Sequence, residues 1–211
     1  MAVDHVLPSA PFDVVEAEAV AGSVAVRRAA FGTGRRLARA ALAELGCAPA
    51  SLPPDRDGVP CWPPGFIGTI SHADGLCIAL AGRAGELLGV GIDLERADRV
   101  VPAIAPRICR ADEYDQGDVA AIALWFAAKK ALFKAYFPTT RCRLGFQDIR
   151  VAMAPARDRF EARLVALGRP SLDGRRAFEG CLATFGGYVV AAVWVAREGA
   201  EVSARGSAAA S

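Results

Sequence analysis

Charge of one sign is what this chain most lacks: its 25 lysines and arginines stand against 23 aspartates and glutamates, a net charge of +2 over 211 residues. With no basic run interleaved with aromatics, that balance excludes a sequence-independent nucleic-acid binder. Any anion the chain holds must be met locally. The six cysteines (Cys47, Cys61, Cys77, Cys109, Cys142 and Cys181) stand singly, with no C-x-x-C pair. Their scatter excludes the usual zinc and redox motifs and reads as reduced thiols, buried or half-buried. Long apolar runs are missing too. The most apolar window, Gly187 to Ala196, is about half the length that crosses a bilayer. Met1 to Pro11 has no basic stretch leading into an apolar one, so no signal peptide is expected and a cytoplasmic, reducing location follows. No solenoid period is visible.

What is present is ordinary globular composition, 53% hydrophobic and 23% charged, enough for one large domain or two small packed ones. Phe12 to Ala19, Val-rich and partly alternating, reads as a strand. Ser23 then caps a helical region reaching Leu45, broken at Gly32-Thr33-Gly34 and stopped by Gly46. Arg27, Arg28, Arg35, Arg36 and Arg39 lie in it, with Arg35 and Arg39 sharing a face at i,i+4. The Pro-rich stretch from Ala48 to Pro64 is a loop. Phe66 to Ser71, Leu76 to Ala81 and Leu87 to Leu94 read as strands joined by Gly-containing turns. Val100 to Tyr114 reads as one or two short helices. Asp118 to Tyr136 is the clearest helix, with Asp118 as its cap and Pro138 just past its end. Phe146 to Met153, Phe160 to Leu164, Ala177 to Ala183 and Tyr188 to Val195 complete a second sheet. The fold class is α+β, in two halves of similar size: 1–98, 99–197, and a polar tail 198–211 that frays.

Three segments carry chemistry. Gly68-Thr69-Ile70-Ser71-His72 ends a strand with a polar pair suited to a phosphate, although a lone histidine there also serves structure. Asp93 and Glu95 are two apart, which on a strand means one face. Two like charges on an apolar strand repel and lose hydration, so a cation or basic neighbour is expected between them, unless the edge is solvated. Lys129, Lys130 and Lys134 lie on the apolar helix. Lys130 and Lys134, at i,i+4, oppose helix formation by a few tenths of a kcal/mol, which points to a bound anion or to a solvated basic face.

Taken together and in order, these segments resemble the 4'-phosphopantetheinyl transferase superfamily of the Sfp/EntD type. Trp125-Phe126-Ala127-Ala128-Lys129-Lys130-Ala131-Leu132-Phe133-Lys134 follows its signature Phe/Trp-x-x-Lys-Glu-(Ser/Ala)-x-x-Lys. The resemblance extends from Val26-Arg27-Arg28-x-x-Phe31 through Gly58-Val59-Pro60-Cys61-Trp62-Pro63 to Leu144-Gly145-Phe146, and covers roughly residues 20 to 195. It implies two α/β halves related by a pseudo-twofold with coenzyme A between them. It also implies transfer of the phosphopantetheine arm, with Mg²⁺, to a serine of an acyl or peptidyl carrier protein. Residue by residue, Arg27 and Arg35 match arginines at the coenzyme A phosphates, and Ser71 and His72 the pair at its 3'-phosphate. Asp93 and Glu95 match two metal ligands, and Lys129 and Lys134 the lysines at the pyrophosphate and its developing charge. A monomer is expected, since each half offers the other its interface.

Lys130 departs from the pattern, because it occupies the slot of the glutamate that the family uses as third metal ligand and base. The exchange shifts local charge by two units and is expected to weaken Mg²⁺ binding. An inward-pointing ammonium is able instead to pair with Asp93 and Glu95 in place of the metal. Three readings stay open. One is a transferase, active or attenuated, with Glu95, Lys129, Lys130 and Lys134 in its catalytic group. Another is an enzyme of this fold acting on a coenzyme A or carrier-bound thioester, with Lys130 or His72 as acid/base. The last is a silent module binding coenzyme A or a carrier protein.

Overall fold

The computed structural model describes residues 1–6, 13–113 and 121–200. The chain divides into two compact units, Met1–Leu87 with the chain from Ala196, and Leu88–Val195. The division comes one strand earlier than the sequence pattern places it, because the strand bearing Asp93 and Glu95 is hydrogen-bonded into the second sheet.

In the first unit, β1 (Ala2–His5), β2 (Phe66–Ala73) and β3 (Leu76–Arg83) form an antiparallel sheet in the order β1-β3-β2. β2 and β3 are joined at Asp74-Gly75, both with positive φ, a turn whose twist suits a tight hairpin. Edge strand β1 has no signature in the sequence; it is four residues long and pairs only with β3. The segment expected as a strand over 12–19 is instead a short helix, α1 (Val14–Ala19). Asp13 caps it by accepting the Glu16 N–H at 2.9 Å, and the cap outweighs the β-preference of two adjacent valines. Phe12 lies outside the described residues.

Helix α2 (Ala25–Glu44) is continuous through Gly32-Thr33-Gly34, contrary to the expected break. Gly34 serves packing: a Cβ there would fall 2.8 Å from Ile70 Cγ2 of β2, so its absence of side chain lets helix and sheet approach. Its N-cap is Val24, without a side-chain bond, rather than Ser23. Ala30, Leu37, Ala38 and Leu42 bury its inner face against Leu52, Cys77 and Ala79, the core of this unit.

The second unit holds β4 (Leu87–Arg96), β5 (Ile149–Met153), β6 (Arg159–Leu164), β7 (Ala177–Phe185) and β8 (Tyr188–Ala196), in sheet order β4-β8-β7-β6-β5. Short helical turns over Ala97–Arg99 and Pro102–Ile104 and helix α3 (Ala105–Ile108) lead away from β4. Helix α4 (Ile122–Thr140) is apolar nearly all round and lies in the unit's core with Ile149, Val151, Phe160, Phe178 and Val193. Its expected cap, Asp118, lies outside the described residues, as does Tyr114. α4 runs two residues beyond Pro138 instead of stopping before it; Arg141, in the left-handed region, closes it by donating its N–H to Phe137 O at 2.8 Å. Residues 146–148, expected as strand, form a helical turn because the Asp148 carboxylate folds back to accept the Gly145 N–H at 2.9 Å.

One close approach sets up everything that follows. Gly89, Gly91, Asp93 and Glu95 alternate onto one face of β4. A Cβ at Gly91 would fall 2.7 Å from Ala135 N and collide with the Ala131 carbonyl, and one at Gly89 would collide with the Ala135 carbonyl. Glycine on the strand and alanine on the helix therefore let the two backbones touch, which brings the carboxylates that follow within reach of the lysines of α4. The colliding atoms are backbone and cannot swing aside, so Gly91→Ala is expected to cost about 2–4 kcal/mol, the upper range for overpacking. Urea unfolding checks this; a midpoint within experimental error of the parent's would contradict the close approach.

Among the described residues no helix is long and apolar enough to cross a membrane. All six cysteines are free thiols; Cys77 and Cys109 are buried and Cys61 is exposed, the last against the expected burial.

Candidate active site

The functional side chains of the second unit converge at the α4-facing end of β4. Lys130 Nζ sits between the two carboxylates: it lies 3.2 Å from Asp93 Oδ2 and donates to Glu95 Oε1. Lys134 Nζ donates to Asp93 Oδ1 at 2.7 Å and to the Ile92 carbonyl at 3.0 Å. The basic neighbour required by two carboxylates on one strand face is thus Lys130, and both oxygens of Asp93 face an ammonium. The group is two minus against two plus. That balance also explains how helix α4 carries the Lys130/Lys134 pair: the repulsion at i,i+4 is answered by carboxylates from the neighbouring strand.

The pairing is graded by depth. The Asp93 side chain is 0% exposed, that of Glu95 15%, Lys134 26% and Lys130 33%. Burial alone would push the Lys130 ammonium down; the flanking Asp93 and Glu95 charges outweigh it and hold the group above the usual lysine range. Burial pushes Glu95 above the usual carboxylate range, with Lys130 opposing. In Lys134 burial wins, and its ammonium is held below the usual range despite Asp93. Lys130 also stands 4.8 Å from the centroid of the Phe126 ring, which faces its charge with π density.

These donors do not fit the divalent ion that the resemblance implies. A metal sharing this place would have both Asp93 oxygens and one Glu95 oxygen contested by ammonium groups. No trio of His, Cys, Asp or Glu suited to a metal is found among the described residues. The repulsion is large: a divalent ion about 4 Å from an ammonium, at an effective dielectric of about 20, is opposed by about 8 kcal/mol.

Lys129 faces elsewhere. Its side chain is 0% exposed, and its Nζ donates to Glu113 Oε2 at 2.6 Å, Ile108 O at 2.7 Å and Phe146 O at 3.0 Å. Three donors meet three acceptors, so the ammonium keeps none for a phosphate. Glu113 completes the node by accepting the N–H groups of Arg110, at 2.6 Å, and of Val151. The sequence gives no local sign of this partner, which lies 16 residues away.

The remaining expected residues lie in the first unit. Arg27 is exposed near the start of α2. Arg35 is buried, donates from Nε to the Leu52 carbonyl at 2.6 Å and stacks its guanidinium 4.2 Å from the Phe31 centroid. Burial brings its pKa down to about 10. Arg39, on the same face as expected, is taken up by Glu16: its Nη1 donates to both carboxylate oxygens at 2.7 and 2.9 Å, and Glu16 also accepts the Leu52 N–H. This buried acid was not anticipated; it fixes Leu52, at the head of the Pro-rich loop, to helices α1 and α2. Ser71 is buried and His72 exposed, on alternate faces of β2.

Comparison with known proteins bears on the same segments. A family model described as the 4'-phosphopantetheinyl transferase N-terminal domain matches residues 15–82, and one described as the 4'-phosphopantetheinyl transferase superfamily matches residues 89–193. The chain is 36% identical to the 4'-phosphopantetheinyl transferase Svp of Streptomyces mobaraensis over 222 residues, covering 97% of this chain and 90% of that one. It is 37% identical to the 4'-phosphopantetheinyl transferase PptT of Mycobacterium tuberculosis over 165 residues, covering 75% and 72%.

Proposed function

Because the chain belongs to the 4'-phosphopantetheinyl transferase superfamily and is a transferase of that type, we propose that it moves the phosphopantetheine arm of coenzyme A to a serine of a carrier protein, with the β4–α4 cluster as its reacting centre. The observation that supports this is the meeting of Asp93 and Glu95 with Lys130 and Lys134, in which Glu95 and both lysines are reached by solvent around a buried Asp93. Phosphoryl transfer asks for positioning and charge neutralisation more than covalent chemistry.

In this reading the serine oxygen attacks the phosphorus bearing the pantetheine. A new phosphodiester forms, the P–O bond to the nucleotide breaks, and the electron pair leaves on the nucleotide's phosphate. Lys130 and Lys134 offset the charge that develops there. Glu95 takes the serine proton, since it is the more exposed carboxylate and Asp93 is fully buried between two lysines. Arg27 and Arg35, with Ser71 and His72, hold coenzyme A phosphates. Arg27 is the better test of the two arginines, because Arg35 also ties down Leu52. Arg27→Ala is expected to weaken coenzyme A binding by about 1–3 kcal/mol, the range for a charged hydrogen bond, in calorimetry. Unchanged binding would remove Arg27 from the site.

The reading extends to a cytoplasmic monomer with an acyl or peptidyl carrier protein as partner. Light scattering at micromolar concentration is expected to give the mass of one chain, and a dimer mass would count against it.

A further inference from the structure

We propose that Lys130 is a built-in cation that takes the place of a divalent metal, so that this protein engages the coenzyme A diphosphate without Mg²⁺. The inference rests on the reading of the β4–α4 cluster as the transferase site, and it goes further by assigning the cluster's positive charge to the chain itself.

Three observations support it. Lys130 Nζ lies within ion-pair distance of both strand carboxylates at once, the position a bridging cation takes. Lys134 independently engages the other Asp93 oxygen, so the deep carboxylate is met from both sides by the protein's own charges. Lys130 is also the most exposed of the four groups, which leaves it able to turn donors outward. An ammonium has three donors. The bond to Glu95 occupies one, and Asp93 Oδ2 stands at ion-pair distance, so a donor is available to a phosphate oxygen. A divalent ion would bring two charges and a demand for about six oxygens in near-octahedral geometry. The ammonium supplies one charge with no such demand. A divalent ion together with the carboxylate whose slot Lys130 fills would bring a net charge of one, and Lys130 alone supplies it.

The test uses the whole chain and two titrants, MgCl₂ and coenzyme A, followed by calorimetry in the parent and in Lys130→Glu, Lys130→Met and Lys130→Arg. The parent is expected to give no saturable heat with MgCl₂ and to bind coenzyme A equally in Mg²⁺ and in chelator. Lys130→Glu is expected to bind MgCl₂ saturably and to lose coenzyme A affinity by about tenfold or more when chelated, roughly 1.4 kcal/mol. Lys130→Arg, which keeps the charge, should stay insensitive to chelator. Lys130→Met should weaken coenzyme A binding in chelator, and it keeps the test decisive if the glutamate variant does not fold. A parent that binds MgCl₂ as tightly as Lys130→Glu, or that loses coenzyme A binding in chelator, overturns the proposal. If no form binds coenzyme A under any condition, the functional reading of the cluster fails, and the MgCl₂ titration still decides the cation.

Discussion

In chelator, Lys130→Glu is expected to melt well below the parent and to recover when magnesium is added, whereas the parent's melting temperature should not respond to the metal. The variant would gather three carboxylates (Asp93, Glu95 and the new one) with Lys134 alone to answer them. Breaking a partly buried ion pair and setting like charges together costs about 2–5 kcal/mol. For a chain of this size each kcal/mol moves the midpoint by about 2–4 °C, so a loss of about 4–20 °C is expected. A metal that binds only the folded state at about a hundred times its dissociation constant returns about 2.7 kcal/mol. Thermal scans of both proteins with and without Mg²⁺ check this. Equal midpoints, with neither protein responding to the metal, would show that Lys130 is not inserted between the strand carboxylates.

Lys129→Ala is expected to act on stability and not on coenzyme A phosphates. It would leave Glu113 charged and buried with only N–H donors, and the Ile108 and Phe146 carbonyls without their ammonium. Removing one partner of a buried pair costs about 3–5 kcal/mol, which at this chain length is about 6–20 °C in melting temperature. Replacing both members, Lys129→Met with Glu113→Gln, removes the stranded charge and should recover about half of that loss. A Lys129→Ala protein that melts with the parent but binds coenzyme A poorly would put this lysine at the pyrophosphate after all.

The contrast between Lys129 and Lys130 marks where sequence reading stops. That Asp93 and Glu95 share a strand face follows from their spacing, and the need for a cation between them follows from charge. The Lys130/Lys134 spacing placed both on one side of α4. Nothing local marks Glu113 or Glu16 as buried partners, because the contacts that bury them join residues 16 and 23 apart in sequence. Of two backbone errors, one has a cause of that kind. Gly32-Thr33-Gly34 reads as a helix break until β2 is seen to pack against Gly34, and Val14-Val15 reads as a strand until the Asp13 cap is seen. The first was decided by a contact outside the local pattern; the second was legible locally, since Asp13 lies three residues from Glu16 and an N-cap acid at that spacing is a helix-start signal. The end of α4 differs: Pro138 removes its own N–H, yet a left-handed Arg141 allows another turn to close on Phe137.

The most direct measurement is the intact mass of an apo carrier protein incubated with coenzyme A and the parent enzyme, run in parallel in Mg²⁺ and in excess chelator. The carrier is expected to gain one phosphopantetheine arm in both, at comparable rates. A carrier modified only in Mg²⁺, or never modified although coenzyme A is bound, would contradict the account.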